Sequence, residues 1–295
     1  METAAIVIEG FTKRYGARDA VHDLSLEVPA GSIFGLLGRN GAGKSTTIKS
    51  LLNLVRPTAG RLQVLGLDSA ADSVAIRGRV GYLPEEPCYY PWMTVSEIVA
   101  FNAAFYDTWD ATLAASLLER LELPRERRLK ELSRGTQAKV GLAMALAPRP
   151  ELLILDDPTS GLDPVVRREF LEAVIANVQA EGGTVFFSTH MLHEMERVAD
   201  EVAILHEGRL RVRASLETLK KSTRQIRVVY PETVPQTFPL SGLLRVDRNS
   251  HQAVLTVSAF DESMPATLRG HGAESVEVID LSLEEIFVET VKGGA

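Results

Sequence analysis

The residues best suited to chemistry lie in one glycine-rich segment, residues 38–45, which spells GRNGAGKS. This segment matches the pattern G-x-x-x-x-G-K-[ST] at every position. Its glycines let the backbone wrap closely so that consecutive N–H groups point at phosphate oxygens, while Lys44 adds a charge for the β- and γ-phosphates and Ser45 offers a Mg²⁺ ligand. The predicted phosphate-binding residues are Gly38, Arg39, Asn40, Gly41, Ala42, Gly43, Lys44, Ser45 and Thr46.

A second set of candidate residues follows the apolar run at residues 152–155. Asp156 and Asp157 come directly after it. Taken alone, such a pattern is more typical of a strand that ends in a solvated turn. Combined with the lysine loop, it predicts that Asp156 holds Mg²⁺, directly or through water, and that Asp157 faces an attacking water.

The two segments can form one site only if the strands that precede them end at the same edge of a sheet. Residues 33–37 form a nearly continuous apolar run, typical of a strand buried on both faces of a parallel sheet, and residues 46–54 predict a helix after the loop. The runs at 152–155 and 184–187 predict further buried strands, with a helix over 164–179 between them. Alternating strands and helices indicate an α/β fold with a parallel-sheet core.

Two additions to this core are expected. Residues 4–8 and 24–28 alternate at period two, which predicts an N-terminal antiparallel β region. Residues 94–147 have a mainly helical pattern, and Thr94 with Glu97 matches a capping box at its start. The sequence therefore predicts a helical subdomain inserted between strands of the core.

The chain changes character near residue 221. Beyond it, short alternating runs and one amphipathic helix are predicted at residues 226–230, 254–256, 276–279 and 283–291. We therefore expect a main domain over residues 1–220 and a small α+β accessory domain over residues 221–295.

Composition limits the classes of protein to which the chain can belong. Its 295 residues are 45% hydrophobic and 24% charged, which is typical of a globular protein with a sizeable core. The net charge of −7 argues against a surface devoted to nucleic acid. The single cysteine, Cys88, excludes an internal disulfide. No run approaches the roughly 18 apolar residues of a membrane span, so we expect a chain that does not cross a bilayer by itself.

Several motifs in one order make the chain similar to the ATP-binding subunits of ABC transporters. It is most similar to those of prokaryotic export systems whose membrane part is a separate protein, and the resemblance covers residues 4–215. Besides the loop and the acidic strand, the motifs are Tyr15 at the adenine-stacking position, residues 132–136 (LSRGT) at the signature and His190 at the switch histidine. For Tyr15, packing in a core is the competing interpretation.

This resemblance implies a P-loop NTPase fold that hydrolyses ATP with Mg²⁺. Two subunits, as a homodimer or a pair, would face each other head to tail. Each ATP would then lie between one phosphate loop and the partner's signature, where Ser133 and Gly135 grip the γ-phosphate. Asp157 would be the catalytic carboxylate and His190 the switch. An integral membrane permease would bind the subunit at the cytoplasmic side of the cell membrane, as a peripheral protein.

Three departures from the family affect the expected chemistry. Asp157 replaces a glutamate and is one methylene shorter, about 1.5 Å of reach, so we expect slow hydrolysis or a different water position. Glu85 replaces the glutamine that usually touches Mg²⁺ and the water, so we predict that it is a metal ligand and catalytic residue that partly offsets Asp157. Arg134 replaces a glycine of the signature, and a charge near the partner's nucleotide and simple solvent exposure are equally open.

An aromatic stretch, residues 89–93 (YYPWM), follows the Glu85 loop. Core packing beneath the helical subdomain is one interpretation. A docking surface for the membrane partner is the favoured one, because aromatic and Met side chains are enriched at the centres of interfaces and the family places its coupling surface nearby.

Two other classes of function compete with export. A soluble ABC-type ATPase acting on ribosomes or nucleic acid is disfavoured by the single phosphate loop and the lack of sustained heptads. A P-loop kinase of small molecules leaves the signature and His190 unexplained. We therefore expect an ATPase subunit that powers export of an unidentified substrate, with no nucleic-acid partner.

Overall fold

The computed structural model describes residues 4–292, with side chains for all of these except 177–181 and 292. The chain is divided into two compact units. The first contains the described residues up to His190 together with Leu205–Leu210, and the second contains Met191–Ile204 and the described residues from Arg211 onward. The predicted division into a main domain over residues 1–220 and a small accessory domain over residues 221–295 stays a prediction.

The first unit alternates strands and helices. Its elements are, in chain order, β1 (Ala4–Tyr15), β2 (Arg18–Pro29), β3 (Ile33–Leu37), α1 (Lys44–Leu51), β4 (Ala59–Val64), β5 (Leu67–Asp68), α2 (Ser73–Arg79), β6 (Val80–Leu83), α3 (Val95–Ala103), α4 (Ala111–Arg120), a 3₁₀ helix (Leu129–Glu131), α5 (Arg134–Leu146), β7 (Leu152–Asp156), α6 (Pro164–Glu181) and β8 (Thr184–Thr189). The predicted α/β class with a parallel core is confirmed.

A parallel sheet forms the centre of the first unit, with the strand order β6-β7-β8-β3. Every residue of β7 and β8 is buried, which explains their unbroken apolar sequences because both faces of a parallel sheet are covered. An antiparallel sheet in the order β2-β1-β4-β5 confirms the predicted N-terminal β region. Helix α1 contacts β2, β4 and β7, so it packs between the two sheets.

Helix α1 differs in its bounds from the predicted helix over residues 46–54. It begins at Lys44, directly at the phosphate loop, because Gly43 takes a left-handed conformation with φ of 106° and serves as the N-cap. It ends at Leu51, after which Asn53 has φ of 53° and the N–H groups of Leu54 and Val55 both bond the Lys49 carbonyl. A left-handed residue of this kind ends many helices.

The predicted helical insertion lies between β6 and β7 and consists of α3, α4, the 3₁₀ helix and α5. Helix α5 packs on β6, and α3 and α4 pack on α5. The capping box at the start of α3 is confirmed, since the Thr94 side chain accepts from the Glu97 N–H and the Glu97 carboxylate accepts from the Thr94 N–H. Within residues 4–292, no helix is both long and apolar enough to span a membrane.

The second unit contains α7 (Leu192–Val198), most of β9 (Glu201–His206) and β10 (Arg209–Ser215), and the elements beyond them. These are α8 (Leu216–Ser222), β11 (Arg224–Val229), β12 (Leu243–Arg248), β13 (Gln252–Val257), α9 (Met264–Gly270), β14 (Ser275–Asp280) and α10 (Leu283–Lys292). An antiparallel sheet in the order β12-β13-β11-β14 supports a separate core that includes Met264 and Leu268 of α9. Strand β12 and helix α9 were not predicted; β12 has no fully buried residue, so its sequence carries no clear apolar alternation.

We expect Thr94→Ala to lower the free energy of unfolding by about 1 kcal/mol, because the first N–H groups of α3 lose their side-chain acceptor. Thr94→Ser keeps the oxygen and should stay close to the parent. Urea unfolding followed by far-UV circular dichroism measures both variants. Equal stability of the two variants would contradict the role of the cap.

Candidate functional site

The phosphate loop, residues 38–45, is held against the strands around it. The buried Lys44 side chain donates from Nζ to the carbonyl of Gly38 at 2.7 Å and that of Arg39 at 3.4 Å. A β-carbon on Gly43 would lie 2.7 Å from the Ala20 carbonyl oxygen, so only glycine fits this close approach. Backbone contacts therefore fix the shape of the loop, and the Lys44 side chain folds back over it.

The charge of Lys44 is balanced by nearby carboxylates. Burial lowers the pKa of the Lys44 ammonium, while the negative charges of Asp157, Asp156 and Glu85 raise it in part. An ammonium that has lost most of its hydration is ready to bind an anion, because less water has to be displaced. This is the electrostatic setting that a phosphate needs at the end of the loop.

Asp156 links the loop to the strand ends. The residue is 1% exposed, and its Oδ1 accepts from Ser45 Oγ at 3.0 Å and from Ser188 Oγ at 2.8 Å. The carboxyl ends of β7 and β8 meet at one edge of the parallel sheet, which is where ligands of such sheets bind. Mg²⁺ prefers oxygen ligands, so the hydroxyl of Ser45 and the carboxylate of Asp156 fit a Mg²⁺ site.

Asp157 is fixed by its backbone and by His190. Its φ of 46° is left-handed, and its N–H donates to the Ser188 carbonyl at 2.9 Å and to Ser188 Oγ at 3.1 Å. Its Oδ2 lies 2.6 Å from His190 Nδ1. An ionised carboxylate only accepts hydrogen bonds, so Nδ1 then carries the proton of this pair. The structure brings these two predicted catalytic residues into direct contact.

A cavity of about 530 Å³ opens beside the loop. Its lining residues are Tyr15, Arg18, Ala20, Asn40, Gly41, Gly43, Lys44, Ser45, Thr46, Glu85 and Asp157. Most of these were predicted from sequence, but Arg18 was missed because it belongs to no motif. Tyr15 is 50% exposed, so the interpretation as a core residue is wrong, and its stacking on adenine stays a prediction.

Other predicted residues lie around this cavity instead of lining it. Arg39 and Ala42 line a neighbouring cavity of about 400 Å³, together with Arg18. Ser133 and Gly135 are absent from the described residues that line the nucleotide-sized cavity. Ser133 caps helix α5 by accepting from the Thr136 N–H at 3.1 Å, and a β-carbon on Gly135 would lie 3.0 Å from Val166 Cγ1.

Glu85 lies close to both strand-end carboxylates. Partial burial raises the pKa of its carboxyl group, and repulsion from Asp157, Asp156 and Glu86 raises it further, while Lys44 lowers it. Because it lines the same cavity as Asp157, Glu85 is placed where a second carboxylate could meet metal and water. Its proximity to these carboxylates follows from the parallel pairing of β6 and β7, which puts their carboxyl ends side by side.

Arg134 is largely exposed, with 65% of its side chain accessible. Its guanidinium pairs with Glu86 at 3.5 Å, an ion pair whose two partners both face solvent. Exposed pairs of this kind contribute at most about 1 kcal/mol. Of the two interpretations left open, the chain by itself therefore shows the solvent-exposed one.

An aromatic patch lies on the helical insertion and consists of Tyr90, Trp92, Phe101 and Phe105. Tyr90 is 5.2 Å from Trp92 and 5.7 Å from Phe101, and Phe101 is 5.2 Å from Phe105, between ring centroids. Trp92 is 62% and Phe105 is 68% exposed, so the core interpretation of Trp92 is wrong. Phe101 from α3 and Phe105 from the turn after it were not predicted as part of this patch, because only the fold brings Phe101 beside Tyr90 and Phe105 beside Phe101.

Comparison with known proteins decides the family. The family model described as ABC transporter matches residues 21–160. The bacitracin transport ATP-binding protein BcrA of Bacillus licheniformis is 37% identical over 216 residues, which cover 72% of this chain and 71% of that protein. The chain belongs to the ABC transporter family. The Nod factor export ATP-binding protein I of Burkholderia orbicola is 32% identical over 296 residues, covering 98% of this chain and 97% of that one.

The structure agrees with this membership. A solved structure titled as the ATP-binding subunit of an ABC transporter matches with a TM-score of 0.68 and 30% identity, over 74% of this chain and 92% of that chain. The chain is thus an ATP-binding protein of an ABC transporter, with the P-loop NTPase fold that the motifs predicted. Binding and hydrolysis of ATP are the activities of this family.

We expect Ser188→Ala to lower the free energy of unfolding by about 1.5 to 3 kcal/mol and to slow ATP hydrolysis, because a buried carboxylate loses one of its donors. Ser32→Ala is the control, since Ser32 Oγ donates to the Pro29 carbonyl at 2.8 Å, away from Asp156. It should cost about 1 kcal/mol and leave hydrolysis unchanged. Urea unfolding and a phosphate-release assay test both variants; equal loss of stability would refute the special role of Ser188.

Proposed function

We propose that this protein is the ATP-hydrolysing subunit of an export system and drives a substrate through a separate integral membrane permease. It acts as a dimer, bound peripherally at the cytoplasmic side of the cell membrane. The observation that carries the proposal is the continuous set of contacts from the phosphate loop through Ser45, Asp156 and Ser188 to Asp157 and His190. Support for export comes from relatives named for bacitracin transport and Nod factor export.

In this proposal, the loop and Lys44 bind the β- and γ-phosphates, and Tyr15 stacks on the adenine. Ser45 and Asp156 hold Mg²⁺, with Glu85 as a further ligand or a ligand through water. The ion supplies positive charge for the phosphate oxygens during transfer to water. The hydrogen bond between Ser45 and Asp156 supports this assignment, because it already places two oxygen atoms of the kind that bind Mg²⁺ next to each other.

Asp157 is proposed to accept a proton from the attacking water, and His190 to keep its carboxylate oriented. The short contact between Oδ2 and Nδ1 supports that positioning. Because Asp157 is one methylene shorter than the glutamate of the family, Glu85 compensates by contributing a second carboxylate near metal and water. The shared cavity lining of Glu85 and Asp157 supports the compensation.

We propose a dimer because the signature residues Ser133 and Gly135 are not among the described residues that line the nucleotide cavity of their own chain. Ser133 instead caps the exposed start of α5. A helix N-terminus attracts anions, so this end is suited to the γ-phosphate bound by a second copy. In this arrangement each ATP is held by two chains, and its hydrolysis separates them.

The aromatic patch is the proposed docking site for the permease. Its rings are exposed and contact one another, and clustered aromatic side chains are typical of interface centres. The patch begins only a few residues after Glu85, so a change at the nucleotide can reach it through a short segment. We also propose that residues 1–220 form the ATPase domain and residues 221–295 an accessory domain, supported by the separate core of the C-terminal sheet.

We expect Asp157→Asn to lower kcat for ATP hydrolysis by at least about 100-fold while ATP affinity is retained, because an amide cannot accept the proton. Asp157→Glu restores the reach of the family residue and should match or exceed the parent. Steady-state phosphate release and equilibrium nucleotide binding measure the two effects. Hydrolysis by Asp157→Asn at the parent rate would show that the base is another group.

Glu85→Gln tests the compensation separately. It should lower kcat in the parent but have little effect in the Asp157→Glu background, where the catalytic carboxylate has its usual length. The four combinations form a double-mutant cycle. A faster rate in the single Glu85→Gln variant, or equal effects in both backgrounds, would rule out compensation.

We expect Trp92→Ala to abolish co-purification of a polytopic membrane protein from detergent-extracted membranes of the source cells, while ATP affinity stays unchanged. The reason is that Trp92 is an exposed ring of the aromatic patch, where it contacts Tyr90, and its side chain is not part of a buried core. Trp109→Ala, which removes the chain's other tryptophan, is the control and should keep the partner. Recovery of ribosomal proteins or nucleic acid in place of a membrane protein would overturn the export assignment.

A further inference from the structure

One cation in the nucleotide cavity belongs to none of the motifs. Arg18 is the first residue of β2, and it pairs across the β1–β2 hairpin with Tyr15, the proposed adenine platform. A tight turn joins them, in which Gly16 has φ of 58°. Cross-strand neighbours are positioned on the same side of a hairpin. The turn therefore places the exposed Arg18 directly opposite Tyr15 in the strand pairing, while Lys13 Nζ lies 4.9 Å from the centre of the Tyr15 ring.

The guanidinium of Arg18 extends from the hairpin to the phosphate loop. Its Nη2 lies 3.9 Å from the position that a β-carbon would take on Gly41. Arg18 also lines both cavities that border the loop, the one with Lys44 and the one with Arg39. It thus stands between the residues proposed for the adenine and those that bind phosphate.

The neighbouring arginine on the same hairpin is placed differently. Arg14 is occupied by Asp19, with Nε 2.6 Å from Oδ1, and it lines neither cavity. The two arginines are thus a natural pair for comparison. They carry the same charge on the same exposed hairpin, and only Arg18 is directed at the loop.

The charges that line the cavity show what a second cation would do. Lys44 and Arg18 are its lining cations, and Glu85 and Asp157 its lining carboxylates. Without Arg18 the lining would carry more negative than positive charge, which opposes the entry of a polyphosphate. A guanidinium is suited to this place because its fork of N–H donors matches phosphate oxygens and keeps its charge at any working pH.

We propose that Arg18 is a nucleotide-binding residue that holds the phosphate chain of ATP from the side opposite Lys44. The proposal rests on nucleotide occupying the cavity of Tyr15 and Lys44, as the proposed function requires. Arg18 closes the gap between the adenine platform and the loop, so the phosphates are gripped between the hairpin and α1. It acts in binding and takes no part in the proton transfer.

Isothermal titration of the full chain with ATP, ADP and adenosine, in the presence of Mg²⁺, tests this role. We expect Arg18→Gln to raise the Kd for ATP and ADP about tenfold or more, because one charge-assisted hydrogen bond to the phosphates is lost. Adenosine has no phosphate, so its Kd should stay unchanged. Arg18→Lys should lose only part of the affinity, because it keeps the charge but not the fork. Arg14→Gln, the matched control, should stay within about twofold of the parent.

The outcomes separate this proposal from the proposed function. If the parent chain binds no ATP, the proposed function fails and Arg18 fails with it. If the parent binds ATP and Arg18→Gln binds it equally well, only the role of Arg18 is overturned. Equal losses in Arg18→Gln and Arg14→Gln would also overturn it, since they would show general attraction by the hairpin. Thermal unfolding without nucleotide checks that each variant is folded, and Arg18→Lys provides the test if Arg18→Gln is not.

Discussion

A buried carboxylate is costly unless it accepts hydrogen bonds, and Asp156 accepts them from hydroxyl groups of two other elements. Ser45 comes from the start of α1 and Ser188 from β8, so the phosphate loop, the acidic strand and its neighbour are tied at one point. Ser188 also receives the N–H of Asp157, which fixes the next carboxylate. The order of the parallel sheet therefore fixes where these groups meet, because β7 and β8 end side by side and α1 begins at the same edge.

The same crowding of acidic groups makes the site depend on cations. Asp156, Asp157 and Glu85 lie close enough to shift the pKa values of Lys44 and Glu85, and their repulsion is relieved only by positive charge. Lys44 is one source, and a bound Mg²⁺ and Arg18 are the others that we propose. In this view the replacement of a glutamine by Glu85 does not merely add a charge. It makes the site more negative, so that binding of a polyphosphate depends more strongly on the cations beside it.

The segment after β6 joins two surfaces with different tasks. Glu85 lines the nucleotide cavity, while Tyr90 and Trp92 stand in the aromatic patch. Trp92 lies seven positions after Glu85, a reach of at most about 25 Å. We propose that a displacement of Glu85 on binding or loss of the γ-phosphate is passed to the patch through this short connection. This connection would be the physical route from ATP hydrolysis to the proposed membrane partner.

Much of the site follows from local patterns. The phosphate loop, the strand before it and the acidic strand were predictable because loops that wrap phosphate need glycines, and strands covered on both faces need unbroken apolar runs. The bounds of α1 were less predictable, since the left-handed Gly43 sets its start. Arg18, Ser188 and the phenylalanines of the aromatic patch required the fold. Their roles depend on residues that are close in space across a hairpin, a sheet or a helix surface. The spacing of residues along the sequence does not show which of them become neighbours.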